Sequence, residues 1–358
     1  MFSNKARSLF LSQSKRLILC LLLLFLLFTA VCRLFPHENL TSANAVANEN
    51  NADNSLNNEI KEPPKEKPNF IRWVDFNASA EIMRQAYRLD QTSINSEIHL
   101  NFIDSLAYVA FKNGNKFNYE KDIKILNDLV IRLRNGEKIE NITNNNKYFK
   151  YYHEAYSAIF AGFIGHYEQN GTKNYGLIAY NPIAKGFHYH GSSDFGTSRS
   201  FGFKRVHLGH DMFGSLGTPV IAVEGGTVTE FGWNRYGGWR IGIRSQDQKR
   251  YYYYAHLRKD KPFAQNISKG SEVKAGQVIG YLGATGYSYK ENVNMKTNPH
   301  LHFGMQLIFD KSQEDGNGEI WIDVYQIVKF LSQNRAETVR NDNGHRESVN
   351  LREVRIVI

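Results

Sequence analysis

The stretch Arg205-Val-His-Leu-Gly-His-Asp211, read together with Pro299-His-Leu-His302 further along, is the most informative part of this chain. Together the two stretches supply a His-x-x-x-Asp and a His-x-His pattern. Imidazoles and a carboxylate around a position left open to water are the ligand set of a catalytic zinc site, whereas structural zinc closes its fourth position with a protein ligand, commonly Cys. The pattern therefore predicts a metal site that performs chemistry.

The spacing of these residues constrains the backbone. On a straight strand His207 and Asp211 would lie roughly 13 Å apart, at about 3.3 Å per residue, which is too far to share one ion. The chain must bend between them, and Gly209 is the residue whose backbone freedom would allow the bend. His300 and His302 fall on the same face of a strand, so one can bind the metal while the other faces the substrate.

These motifs resemble the lysostaphin-type (LytM) zinc metallopeptidases, which cut peptide bonds in bacterial cell-wall peptidoglycan. The resemblance covers about residues 201–310. It implies that His207, Asp211 and His302 bind one zinc ion per chain. It also implies that His300 and His256, the latter following a strand tyrosine in Tyr254-Ala-His-Leu257, form the catalytic pair.

The activity that the resemblance implies is hydrolysis of a peptidoglycan peptide bond by a metal-activated water, with His256 and His300 moving protons or stabilising charge. An alternative is a catalytically silent LytM-like module that scaffolds or activates another wall enzyme. In such relatives the ligands are usually broken, whereas all five positions are filled here. The sequence therefore favours the enzyme, although it does not indicate which bond is cut.

The amino terminus carries an export signal or an anchor. Basic residues in segment 1–16 precede an apolar run that extends to about residue 35. No small-residue cleavage site follows directly, so we expect 17–35 to be an uncleaved membrane anchor. Basic residues before the run keep the amino end in the cytoplasm. The prediction is a single-pass membrane protein whose catalytic domain is extracytoplasmic.

Cysteine content and charge narrow the function classes. Cys20 and Cys32 are the only two cysteines, and both lie in the apolar run. This excludes a cysteine peptidase and a Cys-ligated zinc module. The formal net charge of +9 suits binding to anionic peptidoglycan, and no nucleic-acid motif is present, so we predict no nucleic-acid partner. The oligomeric state cannot be read from the sequence.

The region before the zinc motifs divides into two parts. Residues 36–68 are rich in Asn, Glu, Lys and Pro, a composition typical of a flexible linker. Residues 69–174 show helical periodicity in three places: Ile123 to Leu133, Ser96 to Phe111 and Tyr148 to Phe163. This part is predicted to be a small helical domain or a support packed on the catalytic part.

Residues 175–334 are predicted to form the β-rich peptidase domain. Short β-type runs separated by glycines recur through it, which favours an antiparallel sheet and an α+β protein as a whole. Phrases such as Ala275-Gly-Gln-Val-Ile-Gly280 also resemble the hammerhead sheets of biotin and lipoyl carriers. That alternative needs an exposed lysine in a tight hairpin, and it leaves the placed histidines unexplained.

A helix and a polar tail are predicted at the carboxyl end, and one further binding residue is predicted near the zinc motifs. Trp321, Val324, Val328 and Leu331 are spaced as in an amphipathic helix, and residues 335–358 are expected to be a loose polar tail. Arg205 is a candidate contact for a substrate carboxylate, with a surface salt bridge as the alternative.

Three further histidines lie near the zinc motifs. His210 points away from its odd-numbered neighbours on an extended chain, which argues against a role as a fourth ligand. His188-Tyr-His190 is a second His-x-His, but it lacks an acidic partner at metal spacing. His210 is interpreted as a structural or rim residue, and His188 and His190 as cleft-edge or surface histidines.

Overall fold

The computed structural model describes residues 70–200, 204–314, 316 and 318–354. All of them belong to one compact unit, Val46–Ile358. The segments 1–16, 17–35 and 36–68, predicted as a basic segment, an anchor and a linker, lie outside the described residues. Among the helices of the described part, none carries an apolar stretch of the length that a bilayer crossing needs.

Five helices form the first part of the described chain. Asparagine side chains start three of them by accepting main-chain N–H bonds in the first turn, as Asn101 does from Ile103 and Asp104. Gly114, in the left-handed region, ends the second helix. The helices are α1 (Ala80–Ser93), α2 (Phe102–Asn113), α3 (Tyr119–Arg134), α4 (Ile139–Thr143) and α5 (Lys147–Phe160).

The helical region differs from its prediction at both ends. The three periodic stretches correspond to α2, α3 and α5, whereas α1 was not singled out from the sequence. Helical structure ends at Phe160, and the two strands β1 (Ile164–Gln169) and β2 (Thr172–Leu177) follow as an antiparallel hairpin. The predicted helical segment 69–174 is therefore wrong over its last part. Asn170 and Gly171, both at positive φ, form the hairpin turn, and this turn signal outweighs helical propensity there.

The rest of the described chain is mostly β-structure, as predicted, so the α+β fold class is confirmed. Every strand pairing is antiparallel. The remaining strands are β3 (Tyr189–His190), β4 (Ser198–Ser200), β5 (Lys204–Val206), β6 (His210–Gly214), β7 (Pro219–Ile221), β8 (Gly226–Asn234), β9 (Gly238–Ser245), β10 (Arg250–Ala255), β11 (Glu272–Val273), β12 (Val278–Tyr281), β13 (His300–Leu307), β14 (Ile320–Ile322), β15 (Glu337–Arg340), β16 (Arg346–Val349) and β17 (Glu353–Val354).

One sheet brings the zinc motifs together. Its strand order is β11-β8-β9-β10-β13-β6-β3, with β14 also paired to β13. The strand that carries His-x-His, β13, lies between β6 and β10. In this register His302 is opposite Asp211 on one side and opposite Ala255, the residue before His256, on the other. Two smaller sheets have the strand orders β12-β7 and β17-β1-β2.

The helices and the large sheet share one hydrophobic core rather than forming separate cores. The ring of Phe102 in α2 lies 5.1 Å from that of Phe160 and stacks at 5.7 Å on Phe330, which belongs to the carboxyl-terminal helix α6 (Tyr325–Leu331). The hydroxyl oxygen of Tyr87 in α1 accepts a hydrogen bond from the main-chain N–H of Leu177 at 3.0 Å. The helices were predicted to be either a small separate domain or a support packed on the catalytic part, and the shared core fits the second arrangement better.

A buried arginine ties the helical region to the sheet. Arg250 is 1% exposed; it donates to both carboxylate oxygens of Glu224, to Asp247 and to the carbonyl oxygen of Ala158 at the end of α5. Arg250 begins β10, whereas His256 follows the end of the same strand. The attachment point of the helices is therefore at the end of β10 opposite to the zinc motifs.

The carboxyl-terminal segment is more ordered than predicted. Helix α6 begins only at Tyr325, and Trp321 belongs to strand β14 instead of the predicted amphipathic helix. The expectation of a loose tail after Asn334 is wrong, since β15 and β16 form a hairpin and β17 pairs with β1. Side-chain and main-chain contacts fix this polar segment, including the bond from the Ser348 hydroxyl to the carbonyl oxygen of Gly276.

Candidate active site

Three side chains converge where the two histidine motifs meet. His207 lies in the connection between β5 and β6, Asp211 in β6 and His302 in β13. Asp211 Oδ1 is 3.0 Å from His207 Nε2 and 2.9 Å from His302 Nδ1, and the two nitrogens are 3.0 Å apart. These three form the one group in the described part of the chain whose donor atoms are close enough to hold a metal ion.

The chain bends between His207 and Asp211, as the spacing requires. Strand pairing stops after Val206 and resumes only at His210. The reason for a glycine at position 209 differs from the one expected. Gly209 is not among the residues at positive φ. A Cβ there would lie 2.6 Å from His302 Nε2 and 2.7 Å from the carbonyl oxygen of Phe303. Glycine is needed to make room for the imidazole.

Two more imidazoles lie beside this group. The ring of His256 is 4.8 Å from that of His300 and 6.0 Å from that of His302, measured between centroids. His300 Nε2 lies 4.0 Å from Asp211 Oδ1. His256 has φ +60°, a left-handed conformation that is uncommon for a residue other than glycine. Apart from Arg205, the predicted site residues are five in number, and all five lie in one cluster.

Main-chain carbonyl groups fix the orientation of the two additional imidazoles. His256 Nδ1 is 2.8 Å from the carbonyl oxygen of Thr285, and His300 Nδ1 is 2.8 Å from that of Asn298. A carbonyl oxygen can only accept, so each Nδ1 carries a proton. In the neutral rings Nε2 is then the atom that can accept a proton.

Burial and the neighbouring side chains together set the protonation states of His256 and Asp211. Removal from water, and then the neighbouring His300 and His302, lower the pKa of His256 well below its usual range, so this ring is neutral near pH 7. Burial alone would raise the pKa of Asp211. The close contacts with His207 and His302 outweigh burial and lower that pKa overall. Asp211 is therefore a carboxylate, the form in which it can bind a cation.

Arg205 lies in an aromatic environment near the cluster. Its guanidinium group is 4.5 Å from the ring centroid of Tyr287 and 5.5 Å from that of Tyr236. It donates to the Tyr287 hydroxyl, while its Nε is buried without a hydrogen-bond partner among the described residues. Burial lowers the pKa of Arg205. The surface salt bridge considered as an alternative does not describe this environment.

The histidines at positions 188, 190 and 210 lie outside the metal-binding group. His210 is buried and packs against the ring of Tyr325 at 5.1 Å. His188 and His190 stack on each other at 6.5 Å, and His190 stacks on Phe213. Phe213 is in turn 5.0 Å from His300. His190 therefore lies at the edge of the cluster rather than in it.

Sequence reasoning missed the residues that orient the imidazoles. Thr285 and Asn298 act through main-chain carbonyl oxygens, which any residue type could supply, so no sequence signal identifies them. Asp194 contacts Nδ1 of His207 at 3.2 Å through its carboxylate. Its distance along the chain from His207 matches no metal or helical spacing, and only the folded loop brings it close.

Comparison with known proteins agrees with this geometry. The sequence model described as peptidase family M23 matches residues 205–315. An L-Ala-D-Glu endopeptidase from Bacillus subtilis is 44% identical over 124 residues, 35% of this chain and 36% of that protein. Lysostaphin from Staphylococcus simulans is 43% identical over 99 residues, 27% of this chain and 17% of that protein. The chain therefore spans little more than a third of these relatives' length at most.

A solved structure from Ruminococcus gnavus, described as a candidate glycyl-glycine endopeptidase lytM, matches over 75% of this chain and 92% of its own. The TM-score is 0.51 and the sequence identity is 22%. At this identity the match shows a shared fold, and its extent includes more than the matched family segment.

Proposed function

We propose that this chain, whose residues 205–315 form a peptidase family M23 domain, is a zinc-dependent endopeptidase that hydrolyses a peptide bond in bacterial peptidoglycan. The observation that carries the proposal is the convergence of His207, Asp211 and His302 beside the paired imidazoles of His256 and His300. The names of the relatives support peptidoglycan as the substrate, since they include an L-Ala-D-Glu endopeptidase and lysostaphin.

The donor set fits zinc. Two imidazoles and one carboxylate match the common ligands of catalytic zinc sites. Their atoms lie 2.9–3.0 Å apart, which is less than twice the metal–ligand bond of about 2 Å, so one ion could touch all three. With its proton on Nδ1, which faces Asp194, His207 would present its Nε2 lone pair to the ion.

When bound, zinc would supply Lewis-acid chemistry, polarising the scissile carbonyl group and making water acidic enough to react near neutral pH. The chain's own contribution is proton transfer. The carbonyl oxygens of Thr285 and Asn298 hold Nδ1 of His256 and His300. The two Nε2 atoms are thereby available to accept a proton from the attacking water and to donate one to the leaving amine.

Arg205 is proposed to bind a carboxylate of the substrate. Its guanidinium group is partly buried and lies 4.5 and 5.5 Å from two tyrosine ring centroids, and its Nε has no hydrogen-bond partner among the described residues. A substrate carboxylate would accept a charge-assisted hydrogen bond from the guanidinium group. Peptidoglycan stem peptides carry such groups.

The proposed location follows from the substrate and the amino terminus. Peptidoglycan lies outside the cytoplasmic membrane, and the basic segment 1–16 followed by the apolar run of 17–35 is typical of an export signal or anchor. We place the catalytic domain on the extracytoplasmic side of the membrane, with the amino-terminal segment as its attachment.

Digestion of purified peptidoglycans tests the proposal. Sacculi with direct cross-links and sacculi with glycine bridges are incubated with the wild-type protein, with His302→Ala and with wild type plus a chelator. The products are separated and weighed by mass spectrometry. We expect wild type alone to release fragments, whose masses identify the bond. Equal products from His302→Ala would contradict the proposed site, and no products from any sacculus would favour the silent module.

A further inference from the structure

The loop before β4 is built around His207. The N–H of Gly196 donates to the carbonyl oxygen of His207 at 2.8 Å, and the N–H of His207 donates to that of Thr197 at 2.9 Å. The Thr197 N–H and hydroxyl both donate to the carbonyl oxygen of Asp194. This double connection fixes the position of Asp194 relative to the imidazole, although the two residues are far apart in sequence.

Asp194 offers two acceptors to one ring nitrogen. Its Oδ1 lies 3.2 Å from His207 Nδ1, and its carbonyl oxygen lies 3.3 Å from the same atom. Oδ1 is buried and makes no hydrogen bond of its own among the described residues, so its charge faces His207 Nδ1 at 3.2 Å. The hydrogen bond of Nδ1 goes to the Asp194 carbonyl oxygen, and the adjacent carboxylate charge favours a proton on that nitrogen.

Arg199 connects this carboxylate to the metal-binding group. Its guanidinium group is hydrogen-bonded to Asp194 Oδ2 and lies 3.9 Å from Asp211 Oδ2. A second nitrogen of the same group donates to the Thr197 hydroxyl at 2.6 Å. One positive charge therefore contacts two carboxylates and offsets the repulsion between them.

We propose that Asp194 is a positioning residue that holds the proton of His207 on Nδ1, aims Nε2 at Asp211 and His302, and so strengthens binding of a divalent metal ion. The inference rests on the proposed function. It is the arrangement in which a carboxylate behind a ligand histidine fixes the tautomer and the ring orientation and raises the basicity of the ligand atom.

Zinc affinity provides the first test. Metal-free full-length protein competes with a chromophoric chelator for Zn²⁺, and the dissociation constants are compared among wild type, Asp194→Ala, Asp194→Asn and Arg199→Gln. Loss of such a partner typically weakens binding about 10- to 100-fold, and we expect this for Asp194→Ala. Asp194→Asn, which keeps an acceptor but loses the charge, should fall between it and wild type.

Arg199→Gln is the matched control, because it removes the ion pair while leaving the carboxylate beside His207. A smaller loss than that of Asp194→Ala supports the proposal. Wild-type affinity in Asp194→Ala would overturn it. Equal losses in Arg199→Gln and Asp194→Ala would also overturn it, since the effect would then come from the order of the loop. Thermal unfolding of each variant checks that it is folded.

The tautomer of His207 is a readout that is independent of metal and of activity. Long-range ¹H–¹⁵N spectra of the metal-free protein distinguish Nδ1–H from Nε2–H rings. We expect Nδ1–H for His207 in wild type and a mixture in Asp194→Ala; an Nε2–H ring in wild type would overturn the proposal. If wild type bound no zinc, the proposed function would fail, and the tautomer would still decide the role of Asp194.

Discussion

Asp211 and His302 are opposite each other on the neighbouring strands β6 and β13, with Oδ1 and Nδ1 2.9 Å apart. The register of the sheet thus sets the distance between two of the three proposed ligands. His207 reaches the same point because the chain bends before β6. Metal binding by these residues should therefore respond to changes in side-chain chemistry and to changes in backbone packing at the bend.

Asp211→Asn tests the charge of the proposed ligand with little change in shape. The amide lacks the negative charge that favours binding of a cation. We therefore expect zinc affinity to fall by more than the roughly 10- to 100-fold that is typical when a residue hydrogen-bonded to a metal ligand is lost. Endopeptidase activity should be lost with it. Chelator competition measures the first and fragment release the second. Zinc binding that matched wild type would argue against Asp211 as a ligand.

His256→Asn separates catalysis from metal binding. Asparagine tolerates the left-handed conformation that His256 adopts at φ +60°, so the main chain should remain in place. Removal of a proton-transferring group typically costs about 10²- to 10⁴-fold in rate, and we expect kcat to fall in that range. Zinc content should stay at about one per chain.

His153→Asn is the control for this variant, because His153 lies in α5 and is ion-paired with Asp104, away from the cluster. It should keep wild-type kcat. A His256→Asn variant with wild-type turnover, or one that lost its zinc, would show that His256 does not have the proposed role.

Gly209→Ala tests the packing at the bend. The added Cβ would lie 2.6 Å from His302 Nε2 and 2.7 Å from the carbonyl oxygen of Phe303, so the imidazole must move. We expect zinc affinity and activity to drop together. Gly165→Ala is the matched control, since its Cβ would meet only Ile178 at an ordinary 3.6 Å. Unchanged zinc affinity in Gly209→Ala would contradict the close packing described here.

Arg250→Met tests the link between the helices and the sheet. It removes both nitrogen donors to the Glu224 carboxylate, which is 12% exposed, and the bond to the carbonyl oxygen of Ala158. Breaking a buried ion pair on one side typically costs about 3–5 kcal/mol. Denaturant unfolding should show a loss of this size. A change below about 1 kcal/mol would mean that the network contributes little.

Deletion of residues 70–168 tests whether the helical region inhibits the enzyme or supports it. Phe102 packs between Phe160 and Phe330, so removal of the helices would expose the core around α6. We expect a fragment that aggregates or unfolds at lower temperature, as seen by solubility and thermal melting. A soluble, folded fragment with raised activity would instead support an inhibitory helical region.

The sequence allowed prediction of the features that depend on local periodicity. Alternation in His300-Leu-His302 correctly predicted two imidazoles on one strand face, and the spacing of His207 and Asp211 required a bend. The fold class followed from short strands with glycine turns. These predictions succeeded because each depends on residues that are close in sequence.

Other features depend on contacts between distant segments, and the sequence did not reveal them. The role of Asp194 arises from a loop folded back onto His207. The shared core arises because Phe102 and Phe330 meet only in the folded chain. The tail after Asn334 is polar, yet pairing of β15 with β16 and of β17 with β1 orders it. Polarity alone was a poor guide there.

Zinc reconstitution of the metal-free enzyme, followed by peptidoglycan cleavage, tests the central claim most directly. Increasing amounts of Zn²⁺ are added to a known concentration of wild-type protein, and new amino groups released from purified sacculi are measured at each step. We predict that activity rises in proportion to zinc and levels off at about one ion per chain, with no activity in His302→Ala. Full zinc binding without release of amino groups, or activity that survives removal of the metal, would contradict the account.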